Sequence, residues 1–213
     1  MTVPVLTAED LTCVAGGRTV IGGASLRVAA GERVALLGPS GAGKTTLLAA
    51  LAGLAAPAGG RVLVRGVPLD ADPARRRELA VILQGYGLVS LLTAAENVEI
   101  ALRAAGRTPD DAMRTAEATL DRLGLAPVAG HLVDDLSGGQ QQRVAVARGV
   151  ALARSPGVLL ADEPTAEQDA DHRAVILREL FAAADAGTAL VVATHDQEVA
   201  DRCDRVVRIA ITR

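Results

Sequence analysis

The only lysine of the sequence lies in a glycine-rich segment whose spacing suits the binding of a phosphate chain. Residues Gly38–Thr45 read Gly-Pro-Ser-Gly-Ala-Gly-Lys-Thr. This pattern surrounds phosphates with backbone N–H groups and a helix N-terminus when it follows a strand and opens a helix. Lys44 would contact the β- and γ-phosphates, and Thr45 would bind Mg²⁺. All other basic residues are arginines, so the lysine indicates a place for a compact ammonium group.

A pair of carboxylates follows a second apolar segment. Val158–Ala161 is predicted as a strand, and Asp162 and Glu163 come directly after it. Because α/β proteins place ligands at the carboxyl ends of their parallel strands, Asp162 is a candidate Mg²⁺ partner. Glu163 is a candidate for orienting or deprotonating an attacking water. The alternative role of such carboxylates is to cap the following helix.

The segment Leu136-Ser-Gly-Gly-Gln140, which precedes a long predicted helix, forms a second candidate anion site. A serine hydroxyl and two glycines in front of a helix dipole suit a negatively charged group. An ordinary serine N-cap would have the same residues. One phosphate chain can hardly occupy two separate helix N-termini of one chain. Two copies arranged head to tail would use both, since each glycine-rich segment would then face the other copy's second site.

The elements that must position these residues alternate between strands and helices, which indicates an α/β fold with a largely parallel sheet. Strands are predicted at Arg33–Leu37, Arg61–Arg65, Leu79–Leu83, Val158–Ala161, Thr188–Thr194 and Arg205–Ile209. Helices are predicted at Lys44–Ala52, Ala94–Ala105, Asp110–Leu123, Gly138–Ala153 and Ala170–Ala186. The run of helices predicts a helical insertion over about residues 85–153 of an α/β core.

Composition excludes several other classes of function. The 213 residues carry a net charge of -3, with one tyrosine, one phenylalanine and no tryptophan. Nucleic acid is therefore not an expected partner, because neither a basic surface nor a set of aromatic stacking platforms is present. Cys13 and Cys203 have no metal-binding spacing and are expected to be reduced. No apolar segment reaches the ~20 residues of a membrane span and no secretory signal opens the chain, so we expect a cytoplasmic protein.

The order of these motifs resembles that of the ATP-binding cassette (ABC) ATPases over nearly the whole chain. In that resemblance Gly38–Thr45 is the Walker A motif, Leu136–Gln140 is the signature, and Val158–Asp162 is the Walker B strand. Gln84 matches the glutamine loop, Ala166–Asp169 the D-loop, and His195 the switch histidine. The implied fold is one ABC ATPase domain over residues 1–213: a P-loop NTPase core with a mostly parallel sheet, an N-terminal antiparallel β part and the inserted helical subdomain.

The resemblance also implies the ligands and the roles of individual residues. Two ATP molecules with Mg²⁺ would be clamped between two copies of the chain, which would act on an integral membrane permease from the inner face of the cell membrane. The implied catalytic residues are Glu163, His195 and Gln84, and the implied metal-binding residues are Thr45, Gln84 and Asp162. The implied nucleotide-binding residues are Gly38, Pro39, Ser40, Gly41, Ala42, Gly43, Lys44, Thr45, Thr46, Ser137, Gly138, Gly139, Gln140 and Asp169. His131 and His172 are expected to be solvated loop residues.

Within the family, Leu91–Val98, Glu163–Thr165 and the compact C-terminus resemble the lipoprotein-releasing and macrolide-exporter ATPases. The alternative is a non-transport ATPase, either a regulatory coupler of the cell-division type or a soluble protein of the iron–sulfur-assembly type. The candidates for contacting a membrane partner are Tyr86, Leu88, Val89, Leu91 and Leu92. Packing in the core is their alternative role.

Two departures from the family pattern stand out. Ala15, or Val14, replaces the aromatic residue that usually stacks on adenine, which predicts weaker ATP binding. Glu167 and Gln168 occupy D-loop positions at which the family favours a small or polar residue and then an apolar one.

Overall fold

The N-terminal part of the chain forms an antiparallel sheet. The computed structural model describes residues 4–153 and 157–210. Its first two strands, β1 (Pro4–Ala15) and β2 (Arg18–Ala29), are joined at Gly16 and Gly17, which both have a positive φ, as tight hairpin turns require. With β4 (Gly59–Val64) and β5 (Val67–Pro68), the strand order is β2-β1-β4-β5.

A second sheet of five parallel strands forms the centre of the fold. Its strand order is β6 (Leu79–Ile82), β7 (Val158–Asp162), β8 (Ala189–Thr194), β3 (Arg33–Leu37) and β9 (Arg205–Arg208). Every residue of β7 and β8 is buried, as near-continuous apolar strands covered on both faces should be. The register pairs Leu37 with Thr194 and Asp162 with Ala193. The loops that follow β3, β7 and β8 therefore leave the sheet side by side.

Six α-helices accompany these strands in the described part of the chain. They are α1 (Lys44–Leu51), α2 (Ala94–Ala104), α3 (Pro109–Arg122), α4 (Gly138–Leu152), α5 (Ala170–Asp185) and α6 (Gln197–Asp201). Thr93 and Ser137 begin α2 and α4 with complete capping boxes, in which Glu96 and Gln140 return the hydrogen bond. Short 3₁₀ turns lie at Pro73–Glu78, Ala126–Val128 and Val133–Asp135.

Two hydrophobic clusters cover the faces of the parallel sheet. One contains Leu159, Leu190 and Val192 together with residues of α2 to α5. The other contains Leu160, Val191 and Leu36 together with α1 and the antiparallel sheet. Because side chains of successive strand residues point to opposite faces, neighbouring residues such as Leu159 and Leu160 belong to different clusters.

The α/β class, the mostly parallel sheet and the N-terminal antiparallel part are confirmed. Several predicted ends were wrong by one or two residues: β4 begins at Gly59 and ends at Val64, because Arg65 turns the chain at a φ of +50°. The strands β1 and β2 were not predicted individually. Their many small polar residues and glycines obscure the alternation typical of a strand. The boundary of a helical subdomain at about residues 85–153 stays a prediction.

His172 was wrongly predicted to be a loop residue. It lies half-buried in the first turn of α5. Its backbone N–H and its ring Nδ1 both form hydrogen bonds with the Asp169 carboxylate. His131 is exposed between two 3₁₀ turns, as expected. Cys13 and Cys203 are both free thiols. Among the described residues, none of the helices has the length and apolar character needed to cross a membrane.

The packing of α4 on the parallel sheet generates a stability prediction. A Cβ at Gly149 would lie 2.3 Å from Cγ1 of Ile82 on β6. We expect Gly149→Ala to lower the free energy of unfolding by about 1–2 kcal/mol, because the overpacking exceeds the gain in helix propensity. Urea titration measures the change. Gly130→Ala is the control, since no atom lies within 4 Å of its added Cβ. Equal stability of the two variants would contradict the prediction.

Candidate active site

The glycine-rich loop joins β3 to α1 at the carboxyl edge of the parallel sheet. Gly41 and Gly43 have φ values of +81° and +91°, and Gly43 is the residue at which α1 is capped. Gly38 is required for a different reason: a Cβ there would lie 2.3 Å from the carbonyl oxygen of Ile209. These constraints explain why glycine is favoured at positions 38, 41 and 43 of the loop.

The ammonium group of Lys44 is buried in the centre of this loop. Only 6% of the lysine is exposed. Its Nζ donates to the carbonyl oxygens of Gly38 (2.7 Å) and Pro39 (3.1 Å). The same nitrogen lies 3.3 Å from Oε1 of Glu163. A buried charge needs such partners, and here the backbone of the loop and the strand-end glutamate supply them.

Glu163 occupies a position where three elements meet. Its φ is +45°, an unusual value for a residue with a side chain, and its backbone N–H donates to the carbonyl of Ala193 at 2.9 Å. Its Oε1 lies 3.0 Å from Nδ1 of His195, and the Thr194 hydroxyl donates to its Oε2 at 3.4 Å. The glutamate is 7% exposed, whereas more than half of the His195 side chain is exposed. One carboxylate thus faces both the lysine and the histidine.

Asp162, at the end of β7, is suited to a cation. It is 1% exposed, and neither carboxylate oxygen has a hydrogen-bond partner of regular geometry among the described residues. Burial raises the pKa of Asp162, an effect opposed by the adjacent Thr45 hydroxyl and by the positive charge of Lys44. A carboxylate and a hydroxyl are ligands that Mg²⁺ prefers. The pair Asp162 and Thr45 therefore fits a magnesium ion.

A cleft of about 340 Å³ opens beside the glycine-rich loop. Half of the predicted catalytic, nucleotide-binding and metal-binding residues line it: Ser40, Gly41, Gly43, Lys44, Thr45, Thr46, Gln84, Glu163 and His195. Ala15, Val20 and Ala166 complete the lining. The small side chain of Ala15 is thus at the cleft, whereas Val14 is not part of the lining. Ala42 is buried under the loop, and its N–H donates to the Pro39 carbonyl.

The second candidate anion site does not line this cleft. Ser137 caps α4, accepting a hydrogen bond from the backbone N–H of Gln140 and donating its own N–H to the Gln140 side chain. A Cβ on Gly138 would lie 2.5 Å from Oε2 of Glu167, and one on Gly139 would lie 3.2 Å from the Glu167 carbonyl. Asp169 caps α5, and its pKa is lowered by hydrogen bonds from His172. The segments Ser137–Gln140 and Ala166–Asp169 therefore lie against each other.

Several polar side chains at this site have contacts that the sequence did not predict. Thr194 contacts Glu163, and the buried side chains of Gln142, Arg143 and Gln168 connect α4 to the loop after β7. Tyr86 forms a hydrogen bond with Glu167, and burial together with that bond raises the pKa of the tyrosine to about 12. The available signal was weak: polar residues that interrupt an apolar helix or strand face.

The parallel sheet with a glycine-rich loop between β3 and α1 is the architecture of the P-loop nucleotide-binding proteins. A family model described as ABC transporter matches residues 21–166, which is more than half of the chain. The chain belongs to the ABC transporter family, as its ATP-binding cassette.

Three relatives represent the curated proteins that this chain resembles. An uncharacterized ABC transporter ATP-binding protein of Mycobacterium tuberculosis is 46% identical over 195 residues, covering 89% of this chain and 58% of the relative. The lipoprotein-releasing system ATP-binding protein LolD of Anaeromyxobacter dehalogenans is 44% identical, covering 89% and 82%. The Fe(3+) ions import ATP-binding protein FbpC of Brucella abortus is 42% identical, covering 92% and 55%. The chain thus spans less than two thirds of the length of two of these three relatives.

The fold is also similar to that of a solved bacterial ABC transporter cassette, MJ0796, whose structure is dimeric. The TM-score is 0.88 at 31% identity, with 98% of this chain and 97% of that chain covered. A post-hydrolysis state of the same cassette with ADP and Pi matches with a TM-score of 0.85.

The environment of Asp162 generates a prediction on stability and pH. An acid whose pKa is raised by folding holds its proton more tightly in the native state, so its ionisation weakens the fold at pH values above its unfolded pKa. We expect Asp162→Asn to raise the melting temperature at pH 7 in divalent-free buffer and to lose this advantage as the pH falls below the unfolded pKa of aspartate. Asp121→Asn, on the exposed face of α3, is the control. A lower melting temperature for Asp162→Asn at pH 7 would contradict this account.

Proposed function

We propose that this chain binds and hydrolyses ATP as the ATPase subunit of an ABC transporter, and that it works as a head-to-tail dimer on a separate membrane permease. The observation that carries the proposal is the convergence of Lys44 and His195 on the carboxylate of Glu163 beside the glycine-rich loop. A buried ammonium ion, a carboxylate and an exposed imidazole at one cleft are the groups that phosphoryl transfer to water uses.

In this proposal, the loop Gly38–Thr46 surrounds the phosphates with its N–H groups and with the N-terminus of α1. Lys44 exchanges its contact with Glu163 for the β- and γ-phosphates. Glu163 is then free to accept the proton of the attacking water, and His195 holds the γ-phosphate and that water. Thr45, Asp162 and Gln84 hold Mg²⁺, which when bound neutralises charge on the phosphates.

The signature segment completes the proposed site from the other copy of the chain. Ser137, Gly138, Gly139 and Gln140 lie outside the cleft of their own chain, at an N-terminus that suits an anion. In a head-to-tail dimer they would contact the γ-phosphate bound by the other copy, with Asp169 nearby. The helical segment of about residues 85–153 would carry this signature as a unit. The dimer of MJ0796 supports this arrangement by similarity.

We favour an export or mechanotransmission role among the possible branches. LolD supports this role, because this chain covers 82% of LolD's length. FbpC, which is named as an importer subunit, is similarly identical, but this chain covers only 55% of its length. A loop after Gln84 supplies a surface for a permease: Leu91 is 83% exposed and Val89 50% exposed. The buried amide of Asn97 fixes that loop through the backbone N–H and carbonyl of Val89.

Of the other predicted contact residues, Tyr86 and Leu92 are half-buried, and Leu88 packs on the core. The proposed location is the inner face of the cell membrane, where the permease would hold the chain.

Glu163 is tested by its conservative replacement. Glu163→Gln keeps the shape of the side chain but cannot accept the proton, so we expect hydrolysis to fall by at least about 100-fold. With saturating Mg-ATP, light scattering should show a stable dimer. Lys44→Ala is the companion variant, for which calorimetry should detect no ATP binding. A monomeric Glu163→Gln chain with bound ATP would contradict the dimer, and undiminished ATP binding by Lys44→Ala would contradict the phosphate site.

Ala15 generates a second prediction about affinity. An aromatic ring in place of Ala15 would reach the cleft and could stack on adenine, which is worth about 1–3 kcal/mol. We expect Ala15→Tyr to tighten ATP binding by about 5- to 150-fold. The affinity for inorganic triphosphate, which has no base, should not change. Val14→Tyr is a matched control, because successive strand residues point to opposite faces. Equal gains for the two variants, or a gain for triphosphate, would place the base elsewhere.

A further inference from the structure

Three buried polar side chains lie between the signature helix α4 and the loop that joins β7 to α5. Gln142 is 4% exposed, Arg143 7% and Gln168 9%. Buried polar groups of this kind require hydrogen-bond partners. Two of the five hydrogen bonds that they form within the described part of the chain join members of the cluster, and three join the cluster to the backbone of Gly139, Glu163 and Glu167. The cluster lies behind the cleft residues and does not line the cleft.

Both ends of the Gln168 amide are used. Its Nε2 donates to the carbonyl oxygen of Gly139 at 3.0 Å and to Oε1 of Gln142 at 2.9 Å. Its Oε1 accepts a hydrogen bond from Nη1 of Arg143 at 2.9 Å. Gly139 belongs to the first turn of α4, so one side chain of the D-loop holds the turn that carries the signature.

Gln142 extends this connection to Glu163. Its Nε2 donates to the backbone carbonyl of Glu163 at 2.8 Å, and its Oε1 accepts from the backbone N–H of Glu167 at 3.1 Å. The backbone of Glu163, which has the unusual φ of +45°, is therefore held in place by a side chain of α4. A continuous path of hydrogen bonds runs from Gly139 through Gln168 and Gln142 to Glu163.

Arg143 makes the cluster depend on an amide at position 168. Its buried guanidinium donates to Gln168, while its Nε has no partner among the described residues. An apolar side chain at position 168, as the resemblance leads one to expect, would leave this charge without that acceptor. A buried donor that loses its acceptor is destabilising, although the Asp169 carboxylate would still interact with the charge of Arg143. Gln168 and Arg143 therefore form a matched pair in this chain.

We propose that Gln168 is a positioning residue for ATP hydrolysis, because its amide makes the signature turn and the Glu163 backbone of the same chain move as one unit. The inference rests on the proposed function. In the head-to-tail dimer, the signature turn touches the ATP of the other copy, whereas Glu163 serves the ATP of its own copy. The hydrogen-bond path therefore transmits occupation of one ATP site to the glutamate of the other.

Two variants separate positioning from stability. Gln168→Glu keeps an acceptor for Arg143, but it removes the donor to the Gly139 carbonyl oxygen and to Oε1 of Gln142. Both of these oxygens would then lie against a carboxylate, which repels them. Arg143→Met/Gln168→Leu removes the buried charge together with its hydrogen-bond acceptor, and proteins often tolerate such joint replacements by apolar residues. Gln168→Leu alone leaves Arg143 without its acceptor and is expected to be the least stable of the three. A control is Thr119→Val, which removes the partner of Arg122 and a bond to the Thr115 carbonyl on distant α3.

The expected kinetic result is a split between rate and binding. For Gln168→Glu and for the double variant, kcat should fall by about 10- to 100-fold, the effect of a small misplacement of a reacting group. The Hill coefficient for ATP should fall from about 2 toward about 1, since its upper limit is the number of coupled sites. ATP affinity of the monomer, measured by calorimetry, should not change. Thr119→Val should lose stability with neither kinetic change.

Hydrogen exchange provides a readout that does not depend on hydrolysis. In the nucleotide-free chain, backbone amides of Ser137–Arg143 should exchange faster in Gln168→Glu and in the double variant than in the wild type. The exchange of the same amides should be unchanged in Thr119→Val. Unchanged exchange, or unchanged kcat and Hill coefficient in an active enzyme, would overturn the inference. A wild-type chain that binds no ATP would instead overturn the proposed function and, with it, a role of Gln168 in hydrolysis. The exchange measurement would still show whether Gln168 holds the signature turn.

Discussion

The structure depends on one constraint, the need to keep the positive charge of Lys44 inside the protein. The ammonium is held by the carbonyls of Gly38 and Pro39 and by Glu163. Two glycines with a positive φ bend the loop around it, and Gly38 lets the chain pass Ile209 closely. A polyanion is the natural replacement for the carboxylate in this arrangement, since it would contact the same ammonium and the same helix N-terminus. Binding of phosphate and release of Glu163 are then a single event.

Glu163 is held in place by its surroundings rather than by its own conformational preference. A left-handed backbone costs a residue with a side chain on the order of 1 kcal/mol or more. The carbonyl of Ala193 and the side chain of Gln142 fix the backbone on either side, and His195 and Thr194 contact the carboxylate. Strain of this kind persists where several elements determine the same residue. It places the carboxylate at the edge of the cleft and ties it to the helix that carries the signature.

Much of the fold and of the cleft could be predicted from the sequence, because the informative residues are close together in the chain. The pattern Gly38–Thr45 and the apolar run ending at Asp162 are local, and parallel strands bring their ends to one edge. The hairpin of β1 and β2 was not predicted individually, since glycines such as Gly22 and Gly23 interrupt its alternation. The pairing of Gln168 with Arg143 joins positions 25 residues apart across two elements, and no local pattern reports such a contact. Family resemblance supplied the roles of Gln84 and His195, which spacing alone would not have given.

The central claim is that each ATP site is built from the glycine-rich loop of one chain and the signature of another. Disulfide cross-linking between two differently substituted chains tests it most directly, with Ser40→Cys in one and Ser137→Cys in the other. Both positions are exposed, and the native Cys13 and Cys203 are replaced by alanine in both chains. The account predicts a covalent heterodimer that forms with Mg-ATP and not without nucleotide. A dimer that forms with ATP yet gives no cross-link between these two positions would contradict the head-to-tail arrangement.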